Sequence, residues 1–509
     1  MSTAPLTQTP AKSNQMPPSV PFIVGNEAAE RFNYYGILAV LTLYITGQLG
    51  LSDADSTEIV HLFKFAAYFM PLLGAWIADR LWGRYNTILY LSLVYCVGNI
   101  VLAFTVGSRT GLYLGLLLIA VGTGGIKPCV SAFVGDQFGS GREHLLPKIY
   151  GMFYWSINFG SFFSFGFLPS VRDNFGYRWA FGIPGVAMLL ATLIFWSGTR
   201  KYTIKPPTRE PQKAGFFKVL SYALAHRGER RPGQGFWDVA LAKFDAEQVA
   251  GARAVAGILM IFAPIPMFWA LFDQTNSTWV IQGTKMVATT LFTFHLDPQS
   301  FVAPLLKGFF VELKGAGVTP GAFAFILDTE RMQAMNPLYV MILIPIFTGW
   351  LYPWAEKLGV KPTALRRMGA GMLLAAGSFL VTAWIQARLD AGVPMSIAWQ
   401  MVPYLLITSG EVMLSATGLE FAFSRAPASM KSTIMSFWLL TVAVGNFLVA
   451  AVTNLNDKVV QATGAMQFLF YAALTFLVAG IFIWCATRYR ERPQQPSEAT
   501  AAAAGDAER

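Results

Sequence analysis

The chain has 509 residues, of which 54% are apolar, 14% aromatic and only 13% charged. That balance excludes a water-soluble globular protein and a disordered one, and indicates an all-α polytopic membrane protein. The formal net charge of +10 does not point to nucleic acid, because Lys and Arg fall mostly in loops between apolar segments, where they set topology.

Residues 1–24 hold Pro, Ser, Thr and Gln without an apolar run, so a disordered cytoplasmic end with no cleavable signal is expected. Apolar segments then follow at 37–51, 60–78, 86–107, 111–133, 149–170 and 178–197. The first is short and must borrow Phe32 to Tyr35 to span the hydrocarbon core. A polar, basic stretch at 198–253, containing Pro206-Pro207, reads as a cytoplasmic linker. A second set lies at 254–273, 338–355, 367–388, 398–423, 432–454 and 465–487. Between its first two members, residues 283–336 are mixed in character. Their best apolar run, Phe301 to Leu313, contains Lys307 and is too short to span, so a surface hairpin or lobe outside the membrane is expected, with paired interfacial helices as the alternative. Residues 491–509 read as a disordered cytoplasmic tail.

Twelve helices in two six-helix bundles, 25–197 and 254–490, are the expected architecture. Arg80, Arg84, Arg142, Lys148, Lys357, Lys361, Arg366, Arg367, Arg425, Lys431 and Arg488 all fall on one side. Asp53, Asp55 and Glu58 make the first opposite loop acidic. Both termini are therefore expected in the cytoplasm. Cys96, Cys129 and Cys485 sit within apolar segments and read as small core residues, not as disulfides or metal ligands.

Charges inside these segments carry the functional signal. An Arg, Lys or Asp at the centre of a membrane helix costs about 2.5–3.5 kcal/mol to insert, so it persists where it faces a wet cavity or a partner. Glu27 and Arg31 form an i,i+4 pair with Glu30 beside them, at or inside the first helix. Lys127 lies in Gly122-Thr-Gly-Gly-Ile-Lys127-Pro128 of the fourth segment, and Glu411 lies near the middle of the tenth. One from each half, they are expected to face each other across the bundle interface, where such carriers hold substrate. His61 is placed at the start of the second helix and Asp273 at the end of the seventh, so a His–Asp contact at the outer face is expected to respond to protons. Tyr35, Tyr68, Trp269 and Trp438 are candidate pocket aromatics, and Asn158 and Asn336 candidate amide partners for a substrate. Asp79 to Arg84 forms a short charged turn suited to clamping helix ends.

Together these residues resemble the proton-coupled oligopeptide transporter (POT, or PTR) family of the major facilitator superfamily. The resemblance rests on Glu27-x-x-Glu30-Arg31-Phe32-x-Tyr34-Tyr35-Gly36, on Gly74 to Asp79 with Gly83-Arg84, and on Gly124 to Pro128 with Asp136-Gln137-Phe138. Phe153 to Ser161, Phe268 to Gln274, and Gly410-Glu411 with Gly418 to Phe421 and Met430-Lys431-Ser432 add to it. It covers nearly all of 25–490 except the linker and the insert.

The resemblance implies a major facilitator fold in a cell inner membrane and uptake of di- and tripeptides with protons as coupling ion. It implies no cofactor, no metal, no nucleic acid and no obligate protein partner beyond the lipid bilayer, and it argues against an enzyme. Carried over position by position, it gives Arg31, Lys127 and Tyr35 to the peptide carboxylate, and Glu411, Asn158 and Asn336 to the amino terminus. Tyr68, Trp269 and Trp438 would line side-chain pockets. Glu27, Glu30, Arg31, His61, Lys127, Asp273 and Glu411 would handle protons. One departure stands out: many members carry Arg two residues after Tyr-Tyr-Gly, and Leu38 occupies that position. Asp273 then needs another partner, for which His61 is the candidate. The competing expectation is a proton-coupled carrier of another organic solute or of an anion such as nitrate.

Overall fold

The structure, a computed structural model, describes residues 15–138, 145–207, 215–297, 310–313, 319–425, 430–456 and 463–489. The first half contains α1 (Val20–Leu43), α2 (Asp53–Ile77), α3 (Gly83–Phe104), α4 (Arg109–Asp136), α5 (Leu146–Phe175) and α6 (Tyr177–Ser197). A short helix, α7 (Phe216–Ala225), lies in the linker. The seventh crossing is assembled from α8 (Ala246–Phe262), α9 (Ile265–Phe272) and α10 (Thr278–Thr284). The eighth combines α11 (Met335–Ile346) with α12 (Tyr352–Lys357). Then come α13 (Ala364–Asp390), α14 (Met401–Arg425), α15 (Lys431–Leu455) and α16 (Ala465–Arg488).

Eight helical runs are long and apolar enough to cross a membrane on length and composition alone, or nine with the bent seventh. One of them, Asp53–Phe104, spans 52 residues. Gly83, at a φ of 74° that a side chain would strain, divides it into α2 and α3. α1 and α5, 24 and 30 residues long, complete the first six. Their polar and charged side chains lower their hydropathy, and those same side chains build the site described below. Buried apolar residues separate into two main cores. One is drawn from α1 to α6 with Ala334, the other from α7 to α16. This is the two-bundle layout of a major facilitator fold.

Small residues set how closely the helices cross. A Cβ on Gly124 would lie 2.2 Å from Met70 Cβ, and one on Gly74 would lie 2.4 Å from Gly124 O, so α2 and α4 touch backbone to backbone. Gly36 lets α5 side chains approach α1, because a Cβ there would meet Leu168 Cδ1 at 2.5 Å. Ser164 Oγ donates to Phe32 O across that contact at 2.7 Å.

Several boundaries differ from those expected. α1 starts at Val20, inside the stretch expected to be disordered, so Glu27, Glu30 and Arg31 sit within a helix and not at its mouth. α2 starts at Asp53, where Ser52 and Asp55 form a capping box, so His61 lies two turns in. Polar first turns hide helix starts from a reading that counts apolar residues. The linker contains α7 and the beginning of α8.

The seventh crossing bends by 42° between α8 and α9, next to Pro264, and continues past Asp273 to Thr284. Asp273 is therefore mid-crossing. The described part of the insert is a three-stranded antiparallel sheet, with β1 (Thr289–His295), β2 (Val311–Glu312) and β3 (Ala322–Leu327) in the order β1-β3-β2. This corresponds to the lobe and not to paired helices. Asn336, assigned to the insert by sequence, belongs to α11. Residues 1–14 and 490–509, Arg142 and Lys307 lie outside the described residues.

Gly124→Val should push α2 off α4 at a cost of about 1–3 kcal/mol or more. Thermal unfolding in detergent should show a clear loss against the parent, with Gly377→Val, at a glycine facing open space, as the tolerated control. Equal behaviour of the two variants would refute the close-crossing role.

Candidate functional site

The first charged group is built on one helix. Arg31 Nε donates to Glu27 Oε1 at 2.8 Å and lies 3.3 Å from Glu30 Oε2. Glu27 and Glu30 are buried, and Thr123 Oγ1 of α4 donates to Glu30 Oε1 at 2.5 Å. Two carboxylates thus share one guanidinium and one hydroxyl, so the cluster carries more acid than its own cation neutralises. Lys127 stands one helical turn beyond Thr123. Its Nζ is buried without a hydrogen-bond partner. It rests 4.1 Å from the ring centroid of Tyr34 and 4.2 Å from that of Tyr68. Two ring faces supply part of the stabilisation that water would, and all three N–H donors remain available. Arg31, Glu27 and Glu30 are all within electrostatic reach of Lys127.

The second group lies in the other bundle. Asn336 Nδ2 donates to Glu411 Oε2 at 2.7 Å and to Thr408 Oγ1 at 3.1 Å. Tyr35 stands within electrostatic reach of both Arg31 and Glu411. Trp269 and Trp438 pack edge-to-face with a centroid distance of 6.3 Å, and Phe262 and Phe272 extend the cluster. Trp269 Nε1 is buried without a partner. Gly418 makes room for Trp438, since a Cβ there would come within 2.3 Å of the indole.

A third group joins the two bundles. Lys64 Nζ of α2 donates to Asp273 Oδ1 at 2.6 Å and to Asn276 Oδ1 at 2.5 Å. Asn446 Nδ2 of α15 donates to the other oxygen of Asp273 at 2.6 Å. His61 Nδ1 meets Asn446 Oδ1 at 2.8 Å, and its Nε2 meets Ser277 Oγ at 2.8 Å. An amide oxygen only accepts, so Nδ1 carries the proton and neutral His61 accepts from the Ser277 hydroxyl. All of these residues are buried. The break between α9 and α10 makes the arrangement possible, because it turns Asp273, Asn276 and Ser277 toward α2 in a tight 3₁₀ turn.

Several expectations are corrected here. Asp273 is paired by Lys64, and His61 reaches it only through Asn446. Lys127 and Glu411 do not form an ion pair among the described residues; their nearest ring and amide partners are each in their own bundle. Asn158 Nδ2 donates to Tyr154 O of its own helix at 2.9 Å. As expected of a turn that clamps helix ends, Arg84 at the start of α3 joins Asp136 at the end of α4 at 2.6 Å, where linker residue Lys205 also reaches Asp136 at 2.8 Å. Sequence reading missed Lys64, Asn276, Ser277, Gln333 and Asn446. Lys64 in an otherwise apolar run and Asn446 within the eleventh helix were the available signals.

Twelve crossings among the described residues, in two bundles with buried acid–base groups where they meet, give the layout of a major facilitator fold. The profile of PTR2, the POT family, matches residues 85–311 and 318–469. The chain belongs to this family of transporters, which is not an enzyme family.

Solute carrier family 15 member 2 from Homo sapiens is 36% identical over 425 residues, which is 79% of this chain and 54% of that protein. Peptide transporter family 1 from Drosophila melanogaster is 36% identical over 391 residues, 74% and 48%. The chain thus spans about half the length of the curated relatives it matches. Among solved structures, an auto inhibited POT family peptide transporter superposes with a TM-score of 0.81 at 36% identity, covering 94% of this chain and 99% of that one. The POT family transporter PepTSo does so with a TM-score of 0.81 at 39% identity, covering 93% and 99%.

Lys64→Met would leave Asp273 buried without its cation, which costs about 3–5 kcal/mol. Thermal unfolding in detergent should therefore show Lys64→Met with Asp273→Asn to be more stable than Lys64→Met alone. If the double variant is no better, the pair is not what holds this end together.

Proposed function

We propose that the protein takes up di- and tripeptides together with protons by alternating access, in a cell inner membrane with both chain ends in the cytoplasm. The observation that carries the proposal is Lys127 Nζ: a buried ammonium with no hydrogen-bond partner, held between two ring faces beside Arg31. A group of that kind requires an anion, and a peptide carboxylate supplies one. Tyr35 leads from this basic end toward Glu411 and Asn336, which suit a peptide ammonium. A free peptide is a zwitterion whose two charged ends are the same whatever its side chains. A site that holds the ends and leaves the rest to Trp269, Trp438 and Tyr68 therefore accepts many sequences.

Protons act through the carboxylates. A proton on Glu27 or Glu30 discharges the pair that holds Arg31 and releases its guanidinium toward the substrate carboxylate. Loss of that proton on the inner side lets the carboxylates reclaim Arg31 and expel the substrate. With the chain ends in the cytoplasm, the Lys64–Asp273 seal lies at the outer end. His61, hydrogen-bonded to Asn446, is placed to weaken the seal when it gains a second proton, since Nε2 must then donate to Ser277 Oγ. Rocking of one bundle against the other then exchanges access. The coupling ion is the proton, and no cofactor enters this scheme.

The test is uptake of labelled dialanine into sealed proteoliposomes, with and without an inward proton gradient at fixed voltage. Gradient-driven accumulation, competed by tripeptides and not by free alanine, is expected. Absence of uptake by folded protein would overturn the peptide reading and direct the search to anions. Glu411→Gln should abolish accumulation, and normal accumulation by it would remove Glu411 from the mechanism. Lys127→Ala should also fail to accumulate while retaining counterflow.

A further inference from the structure

The linker helix α7 carries more apolar surface than the second bundle covers. Phe216, Val219 and Ala223 are buried and belong to the second core. At about 100° per residue the apolar arc does not stop there, because Leu220, Leu224 and Phe217 continue it round the helix. Phe217 is 65% exposed and Leu224 50%. One half of the arc is thus packed on protein and the other half faces outward.

The polar part of this segment is cationic. Lys218, Arg227, Arg230, Arg231 and Lys243 are all exposed. From Phe216 to Lys243 the acids are Glu229 and Asp238, and Asp238 is already paired with Arg253 at 2.5 Å. Arg230 Nη2 donates to Gln234 O at 2.8 Å, and Lys243 Nζ stands 5.3 Å from the Tyr222 ring centroid. Those contacts orient the two cations without neutralising them.

The contacts of α7 also give its depth. Phe216 and Phe217 pack against Phe437 with centroids 5.8 Å and 5.7 Å apart. Phe437 follows Lys431, the first residue of α15, by six positions, which places α7 about 9 Å along that crossing from its end. At that depth the headgroups of a bilayer give way to acyl chains. An outward apolar arc and a cluster of cations therefore meet at one membrane boundary.

We propose that α7 is a docking site for anionic phospholipid. Acyl chains cover Phe217, Leu220 and Leu224, and lipid phosphates pair with Lys218, Arg227, Arg230 and Arg231. A soluble partner does not reach an arc at this depth. A zwitterionic lipid would cover the arc equally but leave the cations without a net counter-charge. The linker is then held on both sides: Lys205 reaches Asp136 of the first bundle, and α7 rides on the second bundle and its lipid. The inference goes beyond peptide and proton transport and depends on neither.

The test is hydrogen exchange of the α7 amides, read by mass spectrometry on the full-length protein. The protein is held as single copies in nanodiscs of phosphatidylcholine alone or mixed with phosphatidylglycerol. Exchange should be about 10-fold slower in the anionic discs. That difference should vanish at high salt and in the triple variant Arg227→Gln with Arg230→Gln and Arg231→Gln. Phe217→Ser with Leu224→Ser should speed exchange in both lipids, while the amides of α13 report that each variant is folded. Equal exchange of the parent in the two lipids, or a lipid difference that survives loss of the three arginines, would overturn the proposal. Slow exchange confined to discs that hold two copies would assign the arc to a second molecule of this chain and overturn it as well.

Discussion

An ionised side chain inside the membrane cannot be left without compensation, and this constraint organises the whole molecule. Each buried charge in the described structure meets it in a different way. Glu27 and Glu30 share Arg31 and Thr123. Lys64 and Asp273 pair directly, with Asn276 and Asn446 satisfying what remains of each. Arg172 and Glu330 pair at the far edge. Lys127 is the exception: aromatic faces cover it but give it no hydrogen bond. The pairs Lys64–Asp273 and Arg172–Glu330 join the two bundles, whereas Lys127 stays against Tyr34 and Tyr68 of its own bundle without a hydrogen bond. The division between locking and binding thus follows from how completely each charge is satisfied.

The same constraint explains the broken seventh helix. In a regular helix Asp273 and Ser277, at i and i+4, would share one face, but their backbone groups would be committed to the helix ladder. The 3₁₀ turn from Asp273 to Asn276 lets the side chains of Asp273, Asn276 and Ser277 reach α2 and the Asn276 carbonyl reach α1. Thr42 Oγ1 takes that carbonyl at 2.6 Å. Backbone freed at membrane depth is tolerable only where protein partners receive it, and here Thr42 of the opposite bundle takes the Asn276 carbonyl while Tyr404 of its own bundle takes that of Thr275. Helix breakage and bundle closure therefore support each other. When the bundles part, the Thr42 partner is lost and water must replace it. An opening cavity supplies that water.

The twelve crossings and the charged residues on α1, α4 and α14 were legible in the sequence because apolar length and intramembrane charge are strong local signals. The motif around Glu27 to Gly36 also has a local physical reading, since Gly36 admits α5 and the acid–base spacing is helical. The outer seal was legible only in part: His61 and Asp273 stood out, whereas Lys64, Asn276, Ser277 and Asn446 did not. Its members come from α2, the turn after α9, the turn before α11, and α15, and each alone resembles an ordinary polar residue near a helix end. Two helix starts were placed late, which put His61 at a surface it does not occupy. The seventh helix was ended early, which did the same for Asp273. Once both are moved inward, solvation is no longer available to them, and partners such as Lys64 and Asn446 become obligatory.

Leu38 shows how far such obligations can move between residues. It occupies the position where many family members carry arginine, and it is buried in the first core. Without that guanidinium Asp273 still requires a cation, and Lys64, 26 positions further along the chain, provides it from a neighbouring helix. The replacement is not neutral in its mechanics. A guanidinium could hold both oxygens of Asp273 in a fixed fork, whereas an ammonium is a point charge that holds one. The second oxygen is left to Asn446, and Asn446 in turn holds His61. Through Asn446 the seal built on Lys64 thus includes His61.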